Sequence, residues 1–142
     1  MAAVLLFDVD GFKQINDSLG HGTGDAVIAR LGATLRDLVR TGDVVARLGG
    51  DEFAILLRRV NVTDAKRIAA KIRDQAREDV AESIDRRVPT SLSVGIAMID
   101  GDEPVSGDEL LGRADAAMYE AKRAGGDRVV LSDRDAASAN PR

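Results

Sequence analysis

The sequence predicts an α/β (α+β) domain in which a central mixed, mainly antiparallel sheet of about five strands is flanked by helices. Three observations predict it. Apolar runs of strand length open the chain and recur at residues 91–99 and 128–131. Amphipathic segments with apolar residues three and four apart separate these runs. A further apolar run, Val44 to Leu57, is interrupted by Arg47-Leu48-Gly49-Gly50-Asp51-Glu52-Phe53, which reads as strand, tight acidic turn, strand. A hairpin in mid-chain disfavours a doubly wound parallel sheet. No G-x-G-x-x-G or G-x-x-x-x-G-K-[ST] segment stands in strand-turn-helix context to restore one.

Taken in order, Ala2 to Phe7 is a continuous apolar run ending in Asp8, the pattern of a strand buried on both faces whose carboxyl end opens onto a site. Phe12, Ile15 and Leu19 share one face of a helix from Gly11 to Leu19. Gly20-His21-Gly22-Thr23-Gly24 is expected to break it. A second helix runs from about Asp25 to Arg40 on the stripe Val27, Ile28, Leu31, Leu35, Leu38 and Val39, with Asp25 as its N-terminal cap. After the hairpin, Thr63 is positioned to cap a third helix carrying Ile68, Ala69, Ile72 and Ala76. Ser91 to Ile99 is a strand closed by the turn Gly101-Asp102-Glu103-Pro104. Ser106 and Glu109 have capping-box spacing before a helix bearing Leu110, Ala114, Ala117, Met118 and Ala121. Gly125-Gly126 ends that helix, and Arg128 to Leu131 forms a short last strand. Residues 132–142 read as a frayed polar tail or a linker.

At 142 residues the chain fits one domain with a core of its own. It has no cysteine, so no disulfide or zinc ribbon is available. Met1 to Phe7 is too short to span a bilayer and lacks a basic leader, which agrees with a cytoplasmic location and no membrane contact by this chain. The full-length protein stays compatible with a membrane anchor. A net charge of −4 with interspersed signs, one Tyr and three Phe disfavour nucleic-acid binding in a groove. His21 is the only histidine, which argues against catalytic triads and His-rich metal sites.

The acidic residues carry the chemistry. Asp8 at the end of the first strand and Asp51 at the hairpin tip would meet if their strands are neighbours. Two carboxylates and a backbone carbonyl make a hard, oxygen-only site suited to Mg²⁺, which is completed by substrate phosphates. An EF-hand is excluded, because the glycine of Asp8-Val9-Asp10-Gly11 comes too early and the later spaced ligands are missing. Gly11-Phe12-Lys13 then begins a helix whose free N–H groups can hold phosphate oxygens. Metal and phosphate cradle would share one edge.

These residues match a family. Phe7 to Asp17, His21-Gly22-Thr23-Gly24-Asp25, Arg47 to Phe53, Ser93-Val94-Gly95-Ile96-Ala97 and Asp115 to Lys122 resemble the GGDEF domains, the diguanylate cyclases, in order and spacing over nearly the whole chain. The resemblance implies a fold similar to the polymerase palm and the class III nucleotidyl cyclases. It implies an enzyme that condenses two GTP molecules to cyclic di-GMP with release of two pyrophosphates, dependent on Mg²⁺ or Mn²⁺. By position, Asp8, Asp51, Glu52 and the carbonyl of Val9 are expected at the metal, and Glu52 helps activate the 3′-hydroxyl. Asp51 and Glu52 would face opposite sides of a regular strand, so sharing one site needs the twist of the turn. Asn16 and Asp25 match the guanine readers, while Phe12, Lys13 and Lys122 are expected at the substrate, the lysines on its phosphates. Read without the family, Asn16 is a helix-surface residue and the lysines are solvated. Arg40-Thr41-Gly42-Asp43 matches the R-x-x-D inhibitory site, where Arg40 can bond guanine O6 and N7 and hold the product. Its bland alternative is an arginine at a helix end.

The match departs in two places. The family usually has an arginine where this chain has Gly126, so Arg123 or Arg128 would have to compensate, or GTP affinity falls. Residues 1–131 form the domain without the family's preceding helix and its Asp-x-Leu-Thr-Gly-Leu-x-Asn-Arg stretch, and sensory or partner domains are expected in the full-length protein. Because the product is two-fold symmetric, two domains must face each other as a homodimer. The alternative function is a catalytically weak module that binds GTP or cyclic di-GMP within a larger signalling protein. A more distant reading takes Asp8-Val9-Asp10-Gly11 as the nucleophile motif of a haloacid-dehalogenase-like phosphatase, with Asp8 attacking phosphate and Asp10 as acid.

Overall fold

A computed structural model describes residues 1–83 and 90–139. The elements are β1 (Ala2–Val9), α1 (Phe12–Leu19), α2 (His21–Leu38), β2 (Val44–Gly49), β3 (Glu52–Arg58), α3 (Val62–Ser83), β4 (Leu92–Ile99), α4 (Gly107–Arg123), β5 (Arg128–Leu131) and α5 (Asp133–Ala139). The five strands form one sheet in the order β2-β3-β1-β4-β5. β1 is central and antiparallel to both neighbours, and only β4 and β5 run parallel. The mixed, mainly antiparallel sheet is therefore the one the sequence predicts.

A central strand must bury both faces, which is why β1 is an unbroken apolar run. Its alternation divides the core. Ala3, Leu5, Phe7 and Val9 pack with Ile15, Val27, Leu31, Leu35, Ala69 and Ile72 of α1, α2 and α3. Leu6 packs on the opposite face with Leu110, Ala114 and Met118 of α4. By the two-residue period, Asp8 lies on the α4 face. In β3, Phe53, Ile55 and Leu57 belong to the first layer, which turns Glu52 to the α4 side as well. Register pairs Asp8 with Glu52 on one flank and with Ser93 on the other.

Gly95 sets the approach of α4 to the sheet. A Cβ there would lie 2.1 Å from the Ala114 carbonyl oxygen and 2.4 Å from the Met118 nitrogen. Both are backbone atoms, so the helix cannot make room by turning a side chain.

The helix boundaries correct three expectations. The chain breaks at Gly20 alone (φ 91°, ψ 159°), and α2 starts at His21. Asp25 is thus one turn inside the helix and is not its cap. Gly24 sits within α2 because a Cβ at this position would fall 1.6 Å from Asn16 Oδ1. Thr63 does not cap α3. The helix begins at Val62, and Asn61 Oδ1 accepts from the Asp64 N–H at 2.7 Å. Ser106 does cap α4, accepting from the Glu109 N–H at 3.1 Å.

Part of the supposed frayed tail is helix α5. Its anchor is the buried Asp135, whose Oδ2 accepts from the Met98 N–H (2.8 Å), Arg113 (2.7 Å) and the Ser132 hydroxyl. Residues 140–142 lie outside the described residues. Replacing Asp135 by Ala would leave a buried N–H and a largely buried guanidinium without their acceptor, and should lower unfolding stability by about 1–3 kcal/mol in urea melts. Gly95→Ala should cost about 1–3 kcal/mol through overpacking against α4.

Candidate active site

The carboxyl end of β1 delivers Asp8 to a concentrated acidic edge. Asp8 is 9% exposed. Its Oδ2 accepts from Lys122 Nζ at 2.5 Å, while Oδ1 is buried without a donor. Asp51 of the hairpin tip reaches the same carboxyl. Burial, then the hydrogen bond and charge of Asp51, outweigh Lys122 and push the Asp8 pKa from 3.8 up to about 7. Glu52 faces this group from β3, and burial together with Asp115 and Asp51 raises its pKa too, against the pull of Lys122. Asp51 and Glu52 do share one edge. The strands slip register between Arg47 and Gly49, and Gly50 adopts φ 34°, so the tip twists as adjacent residues of a regular strand could not. Arg47 holds the tip by donating Nε (3.2 Å) and Nη2 (2.8 Å) to the Gly50 carbonyl.

The donor set fits a hard cation. Asp8 Oδ1 is a buried acceptor with no donor beside a second carboxylate, so the acidic groups here offer oxygen ligands. Among the described residues no group of three or more His, Cys, Asp or Glu forms a metal cage by itself. Such a site needs further ligands from a bound molecule.

Next to it, α1 follows Gly11 (φ 67°) with no side-chain cap and no acidic residue in its first turn. The first N–H groups of the helix are therefore open to an anion. Lys13 is exposed in that turn, and Phe12 is half-buried beside Gly24. Asn16 is half-buried. Its Oδ1 is buried against Gly24 and has no hydrogen-bond partner. Asp25 lines a cavity of about 330 Å³ with Gly32, Arg36, Arg47 and Phe53.

Arg40 and Asp43 come together in a separate loop. Asp43 Oδ2 accepts from the backbone N–H and Nε of Arg40, both at 3.1 Å, and Oδ1 accepts from the Arg58 N–H at 3.0 Å. Burial alone would raise the Asp43 pKa, but these donors hold it below the usual carboxylate value. Arg40 does not cap α2, which ends at Leu38. Its guanidinium also reaches the Arg58 carbonyl. Thr41, Gly42, Arg58 and Arg59 complete a pocket of about 180 Å³ around the pair.

Asp115 escaped the sequence reading, and Asp10 has a different part from the acid of the phosphatase reading. Asp115 stood in a quoted motif without a role, yet its charge acts on Glu52 from α4. Asp10 has no free carboxylate oxygen. It accepts from Ser91 Oγ (2.6 Å), Ser93 Oγ (2.5 Å) and the Asp127 N–H (2.9 Å). This sequestration removes the phosphatase reading, which needs Asp10 as a proton donor. Of the two arginines considered beside Gly126, Arg123 stacks on the exposed Tyr119 ring, whereas Arg128 Nε bonds the Gly126 carbonyl at 3.0 Å.

A raised folded-state pKa at Asp8 gives a signed pH effect. Its contribution to stability is fully present below 3.8 and is lost as pH rises through about 7. Without metal, Asp8→Asn should therefore melt higher than the parent at about pH 8, by roughly 1–2 kcal/mol, with the gap narrowing toward about pH 5. Thermal melts of both proteins across that range, in the presence of a chelator, check it.

Comparison with known proteins fits this edge. The profile described as "Diguanylate cyclase, GGDEF domain" matches residues 1–128. Diguanylate cyclase TpbB of Pseudomonas aeruginosa (strain UCBPP-PA14) is 46% identical over 124 residues, covering 85% of this chain and 28% of the relative. Diguanylate cyclase DosC of Escherichia coli (strain K12) is 39% identical over 130 residues, covering 91% of this chain and 28% of the relative. The chain thus spans under a third of the length of these relatives. Among solved structures, the GGDEF domain of TpbB from Pseudomonas aeruginosa superposes with a TM-score of 0.81 at 40% identity, over 93% of this chain and 82% of that one. The GGDEF domain of DgcB from Caulobacter crescentus, in complex with c-di-GMP, gives 0.79 at 29% identity, over 92% and 77%. Among the described residues no helix is long and apolar enough to cross a membrane. With the profile matched over almost the entire sheet and its acidic edge, the chain belongs to the GGDEF domain family.

Proposed function

We propose that residues 1–131 are the cyclase module of a longer protein, condensing two GTP molecules into cyclic di-GMP and two pyrophosphates as a two-fold dimer. In each half-reaction the 3′-oxygen of one GTP bonds to the α-phosphorus of the other, the bond from that phosphorus to the pyrophosphate oxygen breaks, and the hydroxyl proton is released. The observation that carries this reading is the unpaired, buried Asp8 Oδ1 beside Asp51, with Lys122 as the nearest cation.

In this reading Asp8, Asp51, Glu52 and the Val9 carbonyl hold Mg²⁺ or Mn²⁺. A bound ion of this kind polarises the α-phosphate, lowers the pKa of the attacking hydroxyl and neutralises charge on the leaving pyrophosphate. Glu52, with its raised pKa, is suited to receive the hydroxyl proton. Lys13, Lys122 and the open first turn of α1 hold phosphates, and Phe12 closes the base side of the pocket. Asn16 and Asp25 read guanine. The partnerless Asn16 Oδ1 supports this role, because an orphaned buried acceptor is satisfied by a ligand N–H and penalises a base that lacks one. The Arg40–Asp43 pocket holds cyclic di-GMP as feedback inhibitor, supported by the guanidinium groups of Arg58 and Arg59 around it. Regulatory domains outside this chain set dimerisation.

Protein forced to dimerise and supplied with GTP and Mg²⁺ should yield cyclic di-GMP by chromatography. Asp51→Ala and Glu52→Ala should each lower the rate at least about 100-fold. Undiminished synthesis in both variants would overturn the assignment. For feedback, calorimetry should show cyclic di-GMP binding weakened at least about tenfold by Arg40→Ala. Arg40 is the informative partner, since Asp43 also ties the start of β2 to Arg58 and its loss would disturb the fold.

A further inference from the structure

We infer that Asp10 is a positioning residue for this reaction, a strut that fixes the crossing from β1 to α1 against β4 and the α4–β5 turn. The inference rests on the reading above for its functional consequence and on geometry alone for the strut. Asp10 lies two residues beyond Asp8, and its carboxylate is taken up by donors of neighbouring segments. Three donors from two distant segments converge on it: the Ser91 hydroxyl, the fully buried Ser93 hydroxyl and the Asp127 N–H. Its own N–H donates to the Ser91 carbonyl at 2.9 Å. Both oxygens and the amide are thereby committed to holding the loop.

The turn on the far side is shaped to receive this carboxylate. Gly126 has φ 74°, and a Cβ there would lie 2.7 Å from Asp10 Oδ2. Asp127 follows at φ 50°, a left-handed conformation that places its N–H on Asp10. Asp127 is held in turn from α3. Arg77 Nη1 donates to both of its carboxylate oxygens at 3.0 Å, and Arg73 donates to its carbonyl at 3.3 Å. A continuous polar path therefore runs from α3 through Asp127 to Asp10 and into β4.

Three parts of the proposed site hang on this path. Val9 and Gly11 flank Asp10 in the chain, so the Val9 carbonyl and the start of α1 move with it. Lys122 is in the last turn of α4, directly before the pinned turn. Loosening Asp10 would shift these parts relative to Asp8 without removing any group that touches substrate.

The test compares the parent protein with Asp10→Ala, Asp10→Asn and Ser93→Ala. Hydrogen exchange by mass spectrometry should show at least tenfold faster exchange in Asp10→Ala at residues 9–13 and 124–128, with β3 and α2 unchanged. Calorimetry with Mn²⁺ and a non-hydrolysable GTP analogue should show about tenfold weaker binding. Asp10→Asn keeps an acceptor for the Asp127 N–H and should recover most of both readouts. Ser93→Ala removes one donor and should give a smaller effect of the same sign. It decides the matter if Asp10→Ala does not fold. Parent-like exchange at both segments in Asp10→Ala and Ser93→Ala, or faster exchange with undiminished analogue binding, would overturn the inference. If the parent protein binds no analogue, the functional reading above fails, while the exchange comparison still decides the strut.

Discussion

The antiparallel register of β1 against β3 is the constraint on which the site depends. Asp8 stands opposite Glu52, and both lie on the α4 face because Phe7 and Phe53, opposite each other, fill the other layer. A slip of one residue would turn the carboxylates into the aliphatic layer and the phenylalanines toward α4. Two features oppose that slip. The apolar faces of β1 and β3 are buried along their whole paired length. The hairpin tip is clamped by Arg47 across the Gly49–Gly50 irregularity, so the acidic pair starts β3 at a fixed point.

The same strand end treats two aspartates in opposite ways. Asp10 receives three donors from protein, two serine hydroxyls and a backbone N–H. Asp8, two residues earlier, has burial, the Asp51 carboxylate and one lysine, and its pKa is raised to about 7. Like charge gathers where a cation and phosphates are proposed to bind, and satisfied charge gathers where the backbone must be held. The acidic edge therefore weakens the metal-free fold locally, and the strut beside it offsets that weakness by tying the loop to β4 and α3.

Much of this was legible in the sequence because it was written as periodicity. The unbroken run of β1, the paired strands around Gly49-Gly50 and the Ser106 cap all depend on neighbours within a few residues. The proximity of Asp8 and Asp51 followed once the strands were paired. The misread features depended on contacts that spacing does not encode. The glycines after Leu19 look like a long break, yet Gly24 is glycine because Asn16 presses on the helix there, and Asp25 moves one turn inside as a result. The tail looks solvated, but Asp135 finds its donors 22 and 37 residues back. Asp10 bonds serines 81 and 83 residues away, and no local pattern announces that.

Gly126 joins these threads. As a sequence letter it reads as a phosphate-binding arginine that is missing. In the fold it occupies a left-handed position with the Asp10 carboxylate where a side chain would begin. An arginine at 126 in this conformation would carry backbone strain and displace the carboxylate that secures the turn. The absent side chain and the strut are thus one arrangement, and any replacement for the lost charge must come from outside the turn's inner side. Arg128 meets that condition. It follows the turn, its Nε bonds the Gly126 carbonyl, and its Nη2 lies 3.3 Å from where a Cβ on Gly125 would stand, so it packs on the turn without competing for the place of the Asp10 carboxylate.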